Sequence, residues 1–248
     1  MRKTEQPENT AGTASGIHIA MILLGIAVTP VLLSSSSLGN QLSHSSLITV
    51  VAIGGLILTI LAAITICVGE KARLPTYGIV KYAFGERGAV AINILMAISL
   101  FGWIAVTGNM FGHSVHDLFA QHGVVLPIPF WVTLGCIIFI ASTAFGFAVL
   151  GKIAQIAVPV IALVLCYILY VATHGQAPAL DGVKQMSIGV AVSTVVGTII
   201  VLVATLPDFG SFVHNRKHAL IAAGMTFLVA YPLLYWAGAT PSALSGQN

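Results

Sequence analysis

Two long apolar segments of this chain contain residue types that can interrupt a helix at the depth where a bilayer is most apolar. Proline removes a backbone donor and glycine permits turns that other residues avoid, so both free backbone polar groups. Within a membrane, such groups are tolerated only where they are buried in protein or line a cavity, and there they can bind an ion or a solute. An ordinary kinked membrane helix would contain the same residue types, so that alternative stays open. The residues are Gly25, Thr29 and Pro30 in "MILLGIAVTPVLLSSSSLG" and Gly197, Thr198, Pro207 and Asp208 in "VVGTIIVLVATLPDFGSF".

A tryptophan lies in the middle of a third apolar segment, "SLFGWIAVTGNMFG". Helical spacing places Ser99, Trp103 and Thr107 on one face, with Gly102 beside the indole. Tryptophan prefers the membrane interface, where its N–H is hydrated, so a mid-depth indole needs a reason. Two interpretations remain open: packing against neighbouring helices, or a flat ring surface for a planar ligand.

Membrane-spanning helices must position these residues, because the composition excludes a soluble domain. Of the 248 residues, 57% are hydrophobic and 7% are charged, whereas soluble domains have about 25% charged residues. A bilayer core of ~30 Å requires roughly 20 apolar residues of helix, and seven segments of this kind occur. The sequence therefore predicts an all-α integral membrane protein. The predicted spans are 17–38, 47–68, 89–111, 128–150, 153–172, 188–206 and 219–236.

The basic residues predict a cytoplasmic N-terminus. With that orientation, nine of the ten Lys and Arg residues lie inside and only Lys184 lies outside, as the positive-inside rule requires. The formal net charge of +3 therefore reports topology and does not indicate a nucleic-acid partner. The predicted organisation is a cytoplasmic tail over 1–16, a transmembrane domain over 17–240 and a C-terminal tail over 241–248. The inside loop over 69–88 is expected to form a short interfacial helix.

Enzymatic and metal chemistry find little support in the sequence. His113, His116 and His122 follow the third span without a fourth ligand at fixed spacing, which favours an exposed helix end over a zinc site. The three cysteines lie in apolar runs with no C-x-x-C spacing. No His/Asp/Ser arrangement or phosphate loop occurs. We therefore expect neither an enzyme nor a bound cofactor or metal.

Two stretches resemble a known family. "ARLPTYGIVKYAFGERGAVAINILMAISLFGWIAVTGNMFG" is similar to the loop and third helix of bacterial cytosine permeases of the nucleobase:cation symporter family. "VSTVVGTIIVLVATLPDFGSFVHNRKHALIAAGM" is similar to their sixth helix and the start of the seventh. The resemblance implies a leucine-transporter-like fold of two inverted five-helix repeats, in which helices 1 and 6 are broken around a central site. Relatives continue for roughly five further helices, so the fold is expected to be incomplete here, with about seven helices.

The resemblance also implies a binding site. Trp103, with Gly102 beside it, matches the aromatic that stacks on the base, and Gly197 precedes the polar and aromatic pair of the sixth helix. That pair is Thr198 and Ile199 here, so the hydroxyl is kept and the second ring is lost. Two further departures are Leu100 in place of a glutamine that reads the base edge, and Ser211 in place of an arginine. The resemblance places Gly25 and Thr29 near the cation. Asp208 lies at the cytoplasmic end of the sixth span, and this position favours a gate or a helix-end contact, with proton coupling as the alternative.

The implied activity is secondary transport of a nucleobase such as cytosine, a purine or a related heterocycle, driven by Na⁺ or H⁺ through alternating access in the plasma (inner) membrane. Two alternatives stay open. The chain could be a non-transporting fragment or one subunit of a split transporter, with a second chain supplying the remaining helices. It could also carry an amino acid or amine, because broken helices suit a carboxylate at a helix N-terminus as well.

Overall fold

The computed structural model describes residues 12–144, 147–174 and 186–245. These residues form nine α-helices, with a π-helical segment Gly224–Ala230 between the eighth and ninth. The contacts divide the chain into two compact units, one made of residues through Ile79 with those from Ala154 onward, and one made of Val80–Ile153. The helices are α1 Gly16–Gln41, α2 His44–Ala72, α3 Thr76–Ala120, α4 Ile128–Ala144, α5 Phe147–His174, α6 Ile188–Gly197, α7 Ile200–Gly210, α8 Arg216–Ala223 and α9 Tyr231–Ser245.

The first unit is held together by two close helix pairs, α1 with α9 and α2 with α7. At the α2–α7 crossing, a Cβ on Gly69 would overlap the backbone of Pro207, and a Cβ on Gly210 would overlap the backbone of Ile66. The two glycines therefore allow the backbones to touch. Small residues are the usual means of close helix contact in a bilayer, where apolar lipid removes the hydrophobic drive to associate.

A second junction of this unit joins the chain before α1 to the link between α7 and α8. Ala14 and Val213 form an isolated parallel bridge, in which the Ala14 N–H donates to the Phe212 carbonyl at 2.9 Å. The Arg73 guanidinium donates to the carbonyls of Ser211, Val213 and His214 at 3.0, 2.5 and 3.1 Å. Because the planar guanidinium carries five donors in a fixed fork, one side chain pairs several carbonyls of the link.

The second unit contains most of α3 with α4. At Gly85 the backbone has φ 70° and ψ −178°, which breaks α3 into a short first part and a long second part. A salt bridge of 2.9 Å between Lys81 and Glu86 spans this break. Further along, α3 packs on α4 where a Cβ on Gly112 would overlap Val132.

Several sequence predictions are confirmed by the helices. Each predicted span lies on helical structure within the described residues, and α2, α3, the α6–α7 pair and the α8–α9 pair are long and apolar enough to cross a membrane. The predicted helix of the 69–88 loop is the short first part of α3. The last helix continues to Ser245, so residues 241–245 of the predicted tail are helical.

The predicted break of the first span is wrong. α1 runs without interruption through Gly25, Thr29 and Pro30. An internal proline removes only its own N–H donor, so the single carbonyl that loses its helical partner is that of Ile26, four residues earlier. The helix continues beyond this position because one missing bond does not end it.

Candidate functional site at the break between the sixth-span helices

The helix of the sixth span ends at Gly197 and starts again at Ile200. Ile199 has φ −130° and ψ 5°, outside the helical region, and its N–H donates to the Val196 carbonyl at 3.3 Å. In a continuous helix that N–H would pair with the Val195 carbonyl instead. The interruption therefore frees a backbone acceptor in the middle of a membrane span, at the position that Gly197 and Thr198 predicted.

Tyr231 of α9 forms a hydrogen bond with the freed carbonyl of Val195. Its hydroxyl donates to the Val195 carbonyl at 2.7 Å, and the whole side chain is buried. Unpaired backbone groups are costly where water cannot reach them, so this contact stabilises the interrupted conformation. The break is thus supported by a side chain from another helix.

A chain of hydroxyl groups lies beside the same break. The Tyr235 hydroxyl donates to Thr198 Oγ1 at 3.2 Å and lies 2.6 Å from Ser34 Oγ of α1. Thr198 Oγ1 in turn donates to the Thr194 carbonyl at 2.7 Å. Tyr235 is fully buried, whereas Ser34 and Thr198 are half-buried. Helices α1, α6 and α9 therefore meet through polar groups at the point where the span is interrupted.

The neighbours of Thr198 differ in what they offer a ligand. The Ile199 side chain is 3% exposed, so it packs into the unit. Gly197 is exposed, and among the described residues no heavy atom lies within 4 Å of where its Cβ would stand. Open space therefore adjoins Gly197, which precedes the half-buried Thr198, whereas Ile199, which follows it, is buried.

The aromatic position and its neighbours belong to the second unit. Trp103 is half-buried on α3, and its carbonyl accepts the Thr107 hydroxyl at 2.8 Å. Gly102 is exposed, with open space where a Cβ would stand, and Leu100 is exposed as well. Stacking of a base on Trp103 stays a prediction.

The two residues named for the cation lie inside the continuous α1. Gly25 packs towards α5, where a Cβ would be 3.9 Å from Val158. Since α1 is unbroken at Gly25 and Thr29, their carbonyls are helical, and the carbonyl freed by Pro30 is that of Ile26. Cation binding at Gly25 and Thr29 stays a prediction.

Asp208 lies at a helix junction. Its Oδ1 accepts the Thr76 N–H at 2.6 Å, at the start of α3, and its own carbonyl accepts the Ser211 hydroxyl at 2.7 Å. This is a helix-end contact of the kind that a carboxylate makes with the exposed N–H groups of a first turn. Ser211, where an arginine was expected, thus donates to a neighbouring backbone carbonyl, while Arg73 binds the adjoining link.

An apolar cavity of about 330 Å³ lies between α1, α5 and α9. Leu24, Val158, Ala162 and Leu234 are among its lining residues, which offer hydrocarbon almost throughout. Recognition of a polar ring requires a few placed hydrogen-bonding groups. The hydroxyl chain at the break supplies such groups and this cavity does not.

Sequence reasoning missed Ser34, Tyr231 and Tyr235. The two tyrosines lie four residues apart, so they share a face of the last span, and a buried tyrosine hydroxyl usually has a hydrogen-bond partner. That spacing could have predicted that the two hydroxyl groups make buried hydrogen bonds. It could not have identified their partners, which lie 36 and 37 residues away in the sequence.

Within the described residues, a helical fold with an interrupted sixth span and polar groups at the interruption is typical of multi-pass membrane transporters. Within this class, the family model described as "Permease for cytosine/purines, uracil, thiamine, allantoin" matches residues 6–247, and the chain belongs to that family. Its relatives are permeases rather than enzymes, as the sequence predicted.

Curated relatives and solved structures agree with this assignment. Cytosine permease of Escherichia coli strain K12 is 26% identical over 238 residues, which are 93% of this chain and 55% of the relative. Mhp1, a nucleobase-cation-symport-1 family transporter, in a closed conformation with bromovinylhydantoin bound, gives a TM-score of 0.74 at 18% identity, covering 96% of this chain and 56% of that chain. Mhp1 in an inward-facing conformation gives a TM-score of 0.69 at 17% identity, covering 98% and 54%. The fold is therefore leucine-transporter-like, and the chain spans about half the length of the curated relatives that it matches.

Proposed function

We propose that this protein takes part in secondary transport of a nucleobase or related heterocycle, which binds at the α6–α7 break. The observation that carries this proposal is the interruption of a membrane span at Thr198, next to the exposed Gly197, in a chain of the cytosine/purine permease family. Thr198 would hydrogen-bond to a planar ring, and the resemblance to the family assigns the stacking role to Trp103. Alternating access driven by Na⁺ or H⁺, without any other cofactor, completes the proposal.

The preferred base is expected to differ from that of the relatives. Leu100 replaces a reader of the base edge and Ile199 replaces a ring, so stacking on Trp103 remains while one polar contact is missing. Because a buried polar group left without a partner costs ~1–3 kcal/mol, a base that relied on the glutamine would bind roughly 5- to 150-fold more weakly. Selectivity for cytosine is therefore expected to be weak.

Uptake in cells that lack their own nucleobase carriers tests the proposal. Labelled cytosine, uracil and hypoxanthine would be supplied with and without Na⁺ and at two pH values. Trp103→Ala should reduce uptake at least tenfold, whereas Trp103→Phe should keep part of it, because a ring remains for stacking. Trp131→Phe is the matched control, since that indole packs against Phe119 with centroids 4.8 Å apart and should tolerate another ring. Normal uptake by Trp103→Ala would overturn the stacking role.

A second candidate is a split transporter, in which another chain supplies the helices corresponding to the rest of the relatives. The observation that favours it is the coverage of 55% of cytosine permease by 93% of this chain. Co-expression with a membrane protein encoded next to it, followed by affinity purification and the same uptake assay, tests this candidate. Uptake only on co-expression supports it, and full uptake by this chain alone contradicts it.

A further inference from the structure

Two histidines near the start of α8 contact the chain around the start of α1. His214 Nδ1 lies 2.9 Å from the Gly12 carbonyl oxygen, and the Gly16 N–H donates to His218 Nδ1 at 3.0 Å. The two imidazole rings lie edge to face, with centroids 5.9 Å apart. The pair therefore binds residues 12–16, the N-terminal segment, at both of its ends.

The two contacts require opposite states of the ring nitrogen. A carbonyl oxygen only accepts, so His214 Nδ1 carries a proton, and it keeps that proton when the ring becomes positively charged. A backbone N–H only donates, so His218 Nδ1 must offer its lone pair to Gly16. Protonation of His218 would set a second N–H against that of Gly16. The contact of His214 therefore tolerates protonation of the ring, and the contact of His218 excludes it.

Gly16 depends on this acceptor. As the first residue of α1, it has no helical acceptor for its N–H. Gly16 is buried, and it lies so close to α8 that a Cβ would overlap the His218 carbonyl. A buried donor that loses its partner weakens the structure around it. A charged His218 ring therefore loosens the attachment of α1 to α8 at this point.

A third histidine shows why a backbone partner matters. His18 Nδ1 lies 3.3 Å from Gln155 Nε2. When the His18 ring is protonated, the Gln155 amide can turn over and offer its oxygen instead. The Gly16 N–H belongs to the main chain and cannot turn. Of these three rings, His218 is thus the one whose protonation directly opposes its contact.

The carboxylates near the start of α8 have other partners. Glu70 pairs with Arg73 at 3.4 Å, and Asp208 accepts the first N–H of α3. Among the described residues, neither forms an ion pair with His218, which also lies in the first turn of α8, where the helix dipole disfavours a positive charge. A charged ring therefore gains nothing that offsets the lost contact. The ionisable groups on the elements packed against this end of α8 are His18 of α1, Cys67, Glu70 and Lys71 of α2, Arg73 at the end of α2, His214 of the link, and Arg216 and Lys217 of α8 itself.

We infer that His218 is a pH-sensitive contact between the first and seventh spans, which holds the N-terminal segment to α8 when its ring is neutral and releases the Gly16 N–H when the ring takes up a proton. Histidine is the side chain that ordinarily changes charge between pH 5 and 8. The attached state binds one proton fewer than the released state, so attachment strengthens as the pH rises and weakens as it falls. This contact is separate from the α6–α7 break and does not depend on the proposed function.

Backbone hydrogen exchange of the full chain in lipid nanodiscs tests this inference. Protection of residues 14–18 would be measured from pH 5 to pH 8 and corrected for the intrinsic pH dependence of exchange. In the unsubstituted chain, protection should fall roughly fivefold between pH 8 and pH 5, the effect of losing about one hydrogen bond. The buried middle of α2, residues 50–58, is the internal reference and should keep its protection.

Three variants identify the group responsible. His218→Asn keeps an oxygen acceptor near the position of Nδ1 and cannot be protonated, so protection should stay high at every pH. His218→Leu removes the acceptor, so protection should be low at every pH, and this variant serves if His218→Asn does not fold. His214→Asn is the matched control, because its amide still donates to the Gly12 carbonyl and His218 is unchanged. Protection in this control should keep its fall with pH.

The other outcomes contradict the inference. A fivefold fall that persists in His218→Asn or His218→Leu would assign the pH dependence to another group, and a fall that disappears in His214→Asn would assign it to His214. Constant protection of residues 14–18 from pH 5 to 8 in the unsubstituted chain would show that the contact does not respond to pH. An equal loss in residues 50–58 would show general loosening of the fold in acid.

Discussion

Asp208 accepts a hydrogen bond from the backbone N–H of Thr76 across 2.6 Å, and this contact joins the end of α7 to the start of α3. The first N–H groups of a helix lack partners within the helix, and the helix dipole is positive at that end. A carboxylate there satisfies one donor and interacts favourably with the dipole. The acidic residue at the end of the sixth span thus has a structural partner at a helix terminus.

Replacing Asp208 with Ala should therefore lower the free energy of unfolding by about 1 kcal/mol, the usual effect of removing an N-terminal helix cap. Asp208→Asn keeps an oxygen acceptor and should lose less. Thermal unfolding in detergent, followed by circular dichroism, measures both. Asp117→Ala is the matched control, because that carboxylate is 72% exposed and contacts only the side chain of His116 in the part of the chain described. Equal melting temperatures for Asp208→Ala and the control would contradict this prediction.

Asp208 is also the residue to test for a role in coupling transport to protons. If Asp208 carried the coupling proton, Asp208→Asn would flatten the pH dependence of uptake, because the amide cannot ionise. We expect the profile to keep its shape, since the carboxylate is committed to Thr76. Uptake measured from pH 5 to 8 in the two proteins decides between a helix cap and a coupling group.

The helical spans were predictable because each depends on local composition. A run of roughly 20 apolar residues has to be helical in a bilayer, whatever surrounds it. The break at Thr198 was also readable, since Gly197 weakens the helix locally. The same kind of signal gave the wrong result in α1, where Pro30 lies inside a continuous helix. A helix-breaking residue shows where a break is possible, and tertiary partners decide whether one forms.

Contacts between helices account for the features of the site that could not be predicted from the sequence. At Val195, the freed carbonyl receives a hydrogen bond from Tyr231, which lies on another helix. Pairing over 36 residues depends on how α6 and α9 pack, and apolar spans of similar composition do not encode their neighbours. The hydroxyl chain through Tyr235 was unreadable for the same reason.

The α2–α7 crossing should be sensitive to a single methyl group. Gly210→Ala places a Cβ against the backbone of Ile66, which cannot move aside as a flexible side chain would. We expect a loss of about 1–3 kcal/mol, the usual cost of overpacking, measured by thermal unfolding. Gly189→Ala is the control, because no described heavy atom lies within 4 Å of where its Cβ would stand. An equal effect of both substitutions would show that the crossing tolerates a wider separation.

Arg73 should be irreplaceable by lysine. Its guanidinium donates to three carbonyls of the link between α7 and α8, and an ammonium cannot reproduce that planar fork. Arg73→Lys and Arg73→Ala should both speed backbone hydrogen exchange in the segment around Val213, and Arg73→Ala should lower stability by about 1–2 kcal/mol because the site is partly exposed. The exposed Arg87 provides the control substitution to Ala. Unchanged exchange around Val213 in Arg73→Ala would show that these three hydrogen bonds do not stabilise the link.

Tyr231→Phe isolates the cost of the interrupted helix. The substitution keeps the ring that packs against Tyr235, with centroids 5.1 Å apart, and removes only the donor to the Val195 carbonyl. A buried acceptor without a partner costs about 1–3 kcal/mol, so the free energy of unfolding should fall by that amount. The control is Tyr167→Phe on α5, where the exposed side chain should lose its hydroxyl with little effect. Because the break itself creates the need for Tyr231, Ile199 N–H should also exchange faster in Tyr231→Phe, as the turn fluctuates more. If the free energy of unfolding and the exchange at Ile199 both stay the same in Tyr231→Phe, the Tyr231 hydroxyl does not stabilise the break.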